Sequence, residues 1–447
     1  MKRIAIFCDG TWNRSDIGKA TNVLALAQGV RPTTADGTAQ VVLYAAGVGA
    51  QGGSSWIARQ IDTLFGGAMG WGLDRVIEDL YRALVFCYEP GDEIYVFGFS
   101  RGAYTARSLV GLIRWSGILP PRNVQFVPDA LALYRIYRRD DDEAGTGPAR
   151  RTGRGPLRRV LAALTGKSGL EAEAPPPRRT ARNKLNTDFR RAYAPRTATS
   201  PEEFEARRQV RIDAVALKIR YLGVWDTVGS LGLPDRWLVA RIANRGFHFH
   251  DADLSRMVER ARHAVALDEQ RPSFAPTLWP NIEGLNRLAL DLPDDADLSV
   301  VPLDLLPYRE EWFPGDHGAV GGGDRRGLSA YARLWVAQGA QAAGLEFEPG
   351  RLAQFEAERD PRGPLVGSAA WWRWLAVLGL RLTPRTGPTD QGQVNDAALE
   401  RRRVDPDYRP AALLEEVWRP VLARPPRAPE GDYASVPSAV IRVAPRR

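Results

Sequence analysis

A β-rich run meets a serine flanked by glycines at residues 91–107, which read Gly-Asp-Glu-Ile-Tyr-Val-Phe-Gly-Phe-Ser-Arg-Gly-Ala-Tyr-Thr-Ala-Arg. The apolar segment 93–99 predicts a buried strand, and residues 103–113 keep helical spacing. Between them, Gly98-Phe99-Ser100-Arg101-Gly102 matches the Gly-x-Ser-x-Gly pattern of a nucleophile elbow. Such a sharp turn crowds the strand against the helix, and glycines two positions before and after the serine leave the space it needs. We predict that Ser100 is a nucleophile at the helix N-terminus; the alternative is a capping serine in a tight turn.

Strands and helices alternate along the chain on both sides of this turn. The residue pattern predicts strands at 4–7, 41–44, 93–99 and 215–225, and helices at 73–88, 103–113, 255–267 and 328–343. This alternation is typical of an α/β fold whose mostly parallel sheet is flanked by helices on both faces. Residues 371–382 indicate a further packed helix, with an exposed patch for a partner or a membrane as the alternative.

A serine nucleophile needs a general base and a carboxylate that orients the base. In this architecture the chain order is Ser, then Asp or Glu, then His. Asp226 follows the predicted strand 215–225, at the strand end where ligands gather in open α/β sheets. His317 lies in the glycine-rich run 315–323, so its imidazole is free to lean over the serine. We therefore predict Asp226 and His317 as the partners of Ser100.

The remaining histidines are weaker candidates for the base. His263 falls inside the predicted helix 255–267 and is expected to be a packed helix residue. His248 and His250 lie in a short aromatic stretch, outside any glycine-rich loop.

An oxyanion site needs two hydrogen-bond donors near the nucleophile. The amide of Arg101, directly after the serine, is expected to be one donor. The second is expected from the turn after the first strand, with Gly10 or Thr11 as the donor. Asp9 either belongs to this site or accepts a hydrogen bond from its own backbone as a turn residue. This chemistry requires neither a metal nor a cofactor.

Positive charge is concentrated in one segment. The net charge is +8, and residues 150–191 hold twelve basic and three acidic residues, which leaves the remainder near neutral. This distribution argues against a general nucleic-acid-binding protein. We predict an insertion at 140–200 with a basic amphipathic helix at 157–164, either a surface element or a cap that contacts an anionic membrane. Two cysteines exclude a disulfide scaffold, and the absence of a long apolar run predicts a cytoplasmic chain without a signal peptide or transmembrane segment.

Six motifs in order resemble one known family: FCDGTWN (7–13), YAAGVG (44–49), the stretch at 91–107, GVWDTVGS (223–230), RHAVALDE (262–269) and GDHGAVGGG (315–323). Over roughly residues 1–345 the chain resembles the bacterial DUF2235 family of α/β-hydrolases, which includes phospholipase effectors of the type VI secretion system. The resemblance assigns the family's triad to Ser100, Asp226 and His317. The family's histidine loop usually reads His-Ser-Asp-Val-Gly-Gly-Gly, whereas this chain has glycine and alanine at the second and third positions.

The residues predict an α/β-hydrolase-like serine esterase, and the resemblance implies that it cleaves acyl esters of glycerophospholipids. Residues 1–345 are expected to form the catalytic domain, 346–405 a helical extension, and 406–447 a Pro- and Arg-rich, poorly ordered tail. The alternatives are a small-ester or polyester hydrolase with the same triad, and a non-catalytic interaction module that keeps the fold. The resemblance also implies a type VI route of export, with a secretion or immunity partner.

Overall fold

The computed structural model of the 447-residue chain describes residues 1–10, 20–47, 69–143, 178–228, 253–322, 327–365, 382–425 and 427. The predicted helix 157–164 and nearly all of the predicted helix 371–382 lie outside these residues. The same is true of Thr11, His248 and His250.

Parallel strands form the central sheet. The strands of the described residues are β1 Arg3–Cys8, β2 Gln40–Ala45, β3 Glu93–Phe99, β4 Thr197–Ala198, β5 Val215–Ala216, β6 Ile219–Trp225, β7 Ala261–Ala266 and β8 Tyr308–Phe313. Six of them form one sheet in the order β2-β1-β3-β6-β7-β8, and every pair in it is parallel. Strands β4 and β5 pair separately.

Helices connect the strands. Those of the described residues are α1 Asn22–Ala27, α2 Met69–Cys87, α3 Arg101–Ser116, α4 Val127–Glu143, α5 Arg178–Tyr193, α6 Pro201–Gln209, α7 Ile282–Ala289, α8 His317–Gly321, α9 Leu328–Ala342, α10 Arg351–Ala357, α11 Ala397–Val404 and α12 Glu415–Ala423. Short 3₁₀ helices span Pro121–Phe126, Pro272–Phe274, Leu298–Val300, Leu303–Leu305 and Gln391–Gln393. Among the described helices, none is both long and apolar enough to cross a bilayer.

Apolar layers cover both faces of the sheet. Ile4 and Ile6 belong to the layer formed with α2, α3 and α4, whereas Ala5 and Phe7 belong to the layer formed with α1 and α9. Successive strand residues point to opposite faces, so one strand supplies both layers. The predicted α/β class, with a mostly parallel sheet flanked by helices, is confirmed.

The predicted helix 255–267 is wrong. Ala261–Ala266 form strand β7 between β6 and β8, and every residue of this strand is buried. A central parallel strand lacks the alternation of a half-buried strand because both of its faces are covered. Three alanines add helix propensity to the same run. His263 is therefore a strand residue, and the predicted strand 215–225 is likewise divided between β5 and β6.

The C-terminal part of the chain packs against the far edge of the sheet. We call residues 382–425 the C-terminal segment. Val394 forms a parallel bridge to Trp312 of β8, so the segment covers an edge strand that would otherwise expose unpaired backbone groups. Tyr408 and Trp418 are buried in the same apolar cluster. The expectation of a poorly ordered tail therefore does not hold for 406–425, while 428–447 lie outside the described residues.

Candidate active site

Three strands bring the predicted site residues to one edge of the sheet. Ser100 directly follows β3, Asp226 directly follows β6, and His317 opens α8 shortly after β8 ends. Carboxyl ends of parallel strands lie at the same edge, where open α/β sheets hold their ligands. The structure thus brings together three residues that are far apart in the sequence.

Ser100, His317 and Asp226 form a continuous chain of hydrogen bonds. The Ser100 Oγ lies 2.7 Å from His317 Nε2, and His317 Nδ1 lies 2.5 Å from Asp226 Oδ2. A carboxylate at Nδ1 fixes the tautomer that carries its proton there, which leaves Nε2 as an acceptor for the serine hydroxyl. The rings of Phe99 and Phe274 pack against the imidazole at centroid distances of 4.7 and 4.8 Å. This arrangement can transfer the serine proton to the imidazole.

The backbone at Ser100 has the strained conformation of an elbow. Its φ is 58° and its ψ is −123°, a region that costs a non-glycine residue of order 1–3 kcal/mol. A Cβ at Gly98 would lie 2.4 Å from the Gly102 carbonyl oxygen, and one at Gly102 would lie 2.1 Å from the Cys8 carbonyl oxygen. Both positions therefore require glycine because the strand and the helix approach each other so closely.

Asp226 is fully buried and bound by an arginine that the sequence analysis missed. Arg385 Nη1 donates to Oδ1 at 2.6 Å and Nη2 donates to Oδ2 at 2.8 Å. Burial alone would raise the pKa of Asp226, but the Arg385 charge, with hydrogen bonds from Arg385 and His317, holds that pKa far below its usual range. Asp226 is thus ionised. No local pattern marks Arg385, which lies 159 residues away in an arginine-rich part of the chain.

Carboxylates anchor the loop that carries His317. Asp316 caps α8 by accepting from the Ala319 amide at 2.9 Å. Glu269 Oε2 accepts from the His317 amide at 3.2 Å, and Asp268 Oδ2 accepts from the Gly315 amide at 2.7 Å. These contacts hold the loop although the acidic residue of the family pattern is missing after His317.

Asp9 organises the turn after β1. Its Oδ1 accepts from the Gly10 amide at 2.7 Å, and its Oδ2 accepts from Thr21 Oγ1 and Tyr44 Oη, each at 2.7 Å. This is the role of a turn residue that binds its own backbone, the alternative open from the sequence. The Gly10 amide is engaged by Asp9 instead of being aimed at an oxyanion. Arg101 directly follows Ser100 as the first residue of α3.

His263 supports the backbone beside Asp226. Its Nε2 accepts from the Thr227 amide at 3.1 Å, so Nδ1 carries the proton and donates to Glu310 Oε2 at 2.8 Å. Both ring nitrogens are thus engaged, and His263 and Glu310 are both buried. Such a histidine acts as a structural brace for the residue after Asp226.

Comparisons with known proteins point to one family. Residues 2–339 match the family model described as the type VI secretion system phospholipase effector Tle1-like catalytic domain. An uncharacterized protein of Saccharomyces cerevisiae is 26% identical over 281 residues, which are 61% of this chain and 32% of that protein. The chain therefore spans about a third of the length of this curated relative.

Two solved structures are similar at low identity. One is an uncharacterized Pseudomonas aeruginosa protein, with a TM-score of 0.34, 16% identity, and coverage of 86% of this chain and 51% of that one. The other is a Tle1 effector bound to the VgrG spike of the type 6 secretion system, with a TM-score of 0.33, 16% identity, and coverage of 72% and 51%.

The family model matches far more than half of the sequence, and the resemblance drawn from the six motifs points to the same effectors. The chain belongs to the Tle1-like catalytic domain family of type VI secretion phospholipase effectors.

Proposed function

We propose that this protein is a serine hydrolase that cleaves acyl esters of glycerophospholipids. Ser100 is the nucleophile, His317 the general base and Asp226 the carboxylate that orients it. The observation that carries the proposal is the hydrogen-bonded chain from Ser100 Oγ through His317 to Asp226, with the serine on a strained elbow. Family membership supports a phospholipid as the substrate.

The reaction proceeds in two halves. His317 Nε2 takes the Ser100 proton as Oγ bonds to the acyl carbon, and the protonated imidazole then gives that proton to the departing alcohol oxygen as the ester bond breaks. In the second half, His317 takes a proton from water as the water oxygen bonds to the acyl carbon. The Oγ–acyl bond then breaks, the serine regains its proton, and a fatty acid leaves.

The oxyanion of each tetrahedral intermediate requires donors close to Ser100. We propose the Arg101 amide as one donor, because Arg101 directly follows the nucleophile at the N-terminus of α3. The 9–13 turn remains our candidate for the second donor, although the Gly10 amide would first have to leave Asp9.

Partners are proposed on the basis of the family. We infer export by a type VI route, with a secretion or immunity partner. Contact between residues 150–191 and an anionic membrane remains a prediction from the charge of that segment.

The test begins with a fluorophosphonate probe on the full chain. We expect wild-type protein to be labelled, Ser100→Ala to lose labelling by about a thousandfold or more, and Ser108→Ala to keep it. Ser108 is a matched control because it is a buried serine of the same helix α3. Folded but unreactive wild-type protein would favour the interaction module over an enzyme.

The substrate class needs a second measurement, made on enzyme that has not been exposed to the probe. We expect hydrolysis of glycerophospholipids to rise when the lipid is presented as vesicles instead of monomers, since a phospholipase acts at an aggregated surface. A short-chain ester hydrolysed equally well, with no gain on vesicles, would favour the small-ester or polyester hydrolase.

A further inference from the structure

We propose that Arg385 of the C-terminal segment is a positioning residue that holds Asp226, and through it His317, in the reactive arrangement. The inference rests on the proposed function, because it assigns a role within the same site. Arg385 lies beyond residues 2–339, the part of the chain that matches the catalytic family model. A segment outside that match would thus complete the site.

The guanidinium of Arg385 is held from several directions. Two parallel hydrogen bonds join it to both oxygens of Asp226. Nη1 also donates to the Ala266 carbonyl at 3.0 Å, and Nη2 donates to the Phe274 carbonyl at 2.5 Å. Because two carbonyls fix the forked Arg385 guanidinium, this fork prevents rotation of the carboxylate that it binds. Since Oδ2 also accepts from His317, the orientation of the imidazole depends on the same fork.

Charge gives the contact a second effect. Asp226 is fully buried, and an uncompensated buried carboxylate is strongly disfavoured. The charged and titratable groups around it are His317 of α8, Arg385, and Arg271 of the loop after β7, which interacts with Asp226 electrostatically. Glu269 pairs with Arg271, and His263 braces the adjacent Thr227. Among the arginines and lysines that the structure describes, Arg385 is the one that hydrogen-bonds to the carboxylate.

The C-terminal segment contacts the loop after β7 at two points. The Thr383 amide donates to the Gln270 carbonyl at 2.8 Å, close to Arg385 in the chain. Further along, Tyr408 Oη donates to Asp268 Oδ2 at 2.9 Å, the same oxygen that anchors the Gly315 amide in the His317 loop. One segment therefore contacts Asp226 through Arg385 and, through Tyr408, the aspartate that anchors the His317 loop.

The test compares Arg385→Met, Arg385→Lys and a control in the full chain. The control is Arg207→Met, because Arg207 is also a buried arginine, paired with Glu203, and it contacts backbone carbonyls away from the site. The measured quantity is the rate of fluorophosphonate labelling as a function of pH. A purely structural loss lowers the folded fraction without moving the pH profile.

We expect Arg385→Met to label about 10- to 100-fold more slowly than wild type. In the plot of labelling rate against pH, the acid limb is the low-pH side, where the rate falls. In Arg385→Met this limb should move to higher pH by about one to three units, because Arg385 no longer opposes proton uptake by the Asp226–His317 pair. Arg385→Lys keeps the charge, so its acid limb should return to the wild-type position with part of the rate. Arg207→Met should keep the wild-type profile even if its Tm falls.

An Arg385→Met protein with the wild-type rate and acid limb would overturn the inference, as would slower labelling with an unmoved limb. If circular dichroism finds Arg385→Met unfolded, the labelling rate of Arg385→Lys becomes the test. A rate for Arg385→Lys as high as that of wild type would then rule out a positioning role for the fork.

Titration of His317 separates this inference from the proposed function. It can be followed by NMR in protein isotopically labelled at its four histidines, without any reaction. Unreactive wild-type protein counts against the hydrolase, whereas an unmoved His317 midpoint in Arg385→Met, or in Arg385→Gln if Met does not fold, counts against Arg385.

Discussion

Two residues of the site have φ angles in the left-handed region, and one backbone hydrogen bond connects the turns that carry them. Ser100 has φ 58° and Asp226 has φ 41°, although neither is glycine. The Ser100 amide donates to the carbonyl of Trp225, the residue directly before Asp226, at 3.0 Å. Strained residues persist when the surrounding structure over-determines them. The elbow and the Asp226 turn therefore form one unit whose geometry depends on the tight contact of β1, β3 and α3.

At this scale we predict that Gly102→Ala disrupts the elbow. Its Cβ would lie 2.1 Å from the Cys8 carbonyl oxygen and 2.5 Å from that of Asp9, and both are backbone atoms. We expect a loss of stability of about 1–3 kcal/mol or more, with loss of Ser100 labelling. Thermal unfolding and the fluorophosphonate probe measure both effects.

Gly284→Ala is the matched control for Gly102→Ala. Gly284 lies in helix α7, and a Cβ there would meet nothing within 4 Å. Alanine should stabilise this helix by about 0.5–1 kcal/mol. A Gly102→Ala protein with wild-type Tm and reactivity would contradict the steric argument.

One short helix and one strand-like contact hold the C-terminal segment against the sheet. Val417, Trp418 and Val421 of α12 are buried, and Trp418 meets Tyr408 edge-on at a ring distance of 6.5 Å. The Asn395 amide donates to the Trp312 carbonyl at 3.0 Å, which extends the pairing along β8. Burial of these side chains keeps the segment, and hence Arg385, against the sheet.

For this element we predict that Trp418→Ala loosens the segment before the sheet. Truncation of a buried tryptophan typically costs about 3–5 kcal/mol. Hydrogen exchange should therefore accelerate at residues 394–425, while β1 and β3 keep their protection. Leu414→Ala is the control, because Leu414 is 63% exposed beside the same helix. Equal exchange of 394–425 in both variants would argue against α12 as the anchor.

Across the whole molecule, buried carboxylates link the C-terminal part of the chain to the sheet. Glu311 of β8 is fully buried and accepts from Arg309 at 2.5 Å, Asn395 at 2.7 Å and Arg427 at 2.9 Å. Burial alone would raise the pKa of Glu311, but the two arginines and Asn395 lower it to about 2. Asp268 behaves oppositely, since burial raises its pKa to about 6.

The sign of each shift predicts how stability depends on pH. Glu311 has a lowered pKa, so its contribution is present above about pH 4.5 and is lost as the pH falls to about 2, up to about 3 kcal/mol. The Tm difference between wild type and Glu311→Gln should be largest near neutral pH and shrink toward pH 2. Asp268, with a raised pKa, contributes below about pH 4 and loses that contribution as the pH rises through 6.

Thermal unfolding at a series of pH values measures this trend. Glu205→Gln is the control, because Glu205 forms an exposed ion pair of the kind that contributes little. A Tm difference between wild type and Glu311→Gln that does not change with pH would contradict the assignment.

The amino-acid sequence by itself predicted the features that depend on local backbone geometry and residue spacing. The elbow needs glycines at fixed offsets from Ser100, so Gly98 and Gly102 mark it within five residues. Asp226 could be proposed as a site residue because it directly follows an apolar strand, and His317 because it lies in a glycine-rich loop at the expected place in the chain order. The α/β class followed from the same alternation of strands and helices.

Features that depend on contacts between distant parts of the chain could not be predicted from local sequence patterns. Strand β7 is a strand because neighbours cover both of its faces, and that burial is absent from the local pattern of Ala261–Ala266. The sequence does not distinguish Arg385 from the other arginines of its segment, because an arginine can lie on an exposed surface or bind a buried carboxylate. Its partner Asp226 is 159 residues away, so the pair exists because the C-terminal segment folds onto the sheet edge. Backbone geometry is encoded locally, whereas the pairing of charges is set by which surfaces meet when the chain packs.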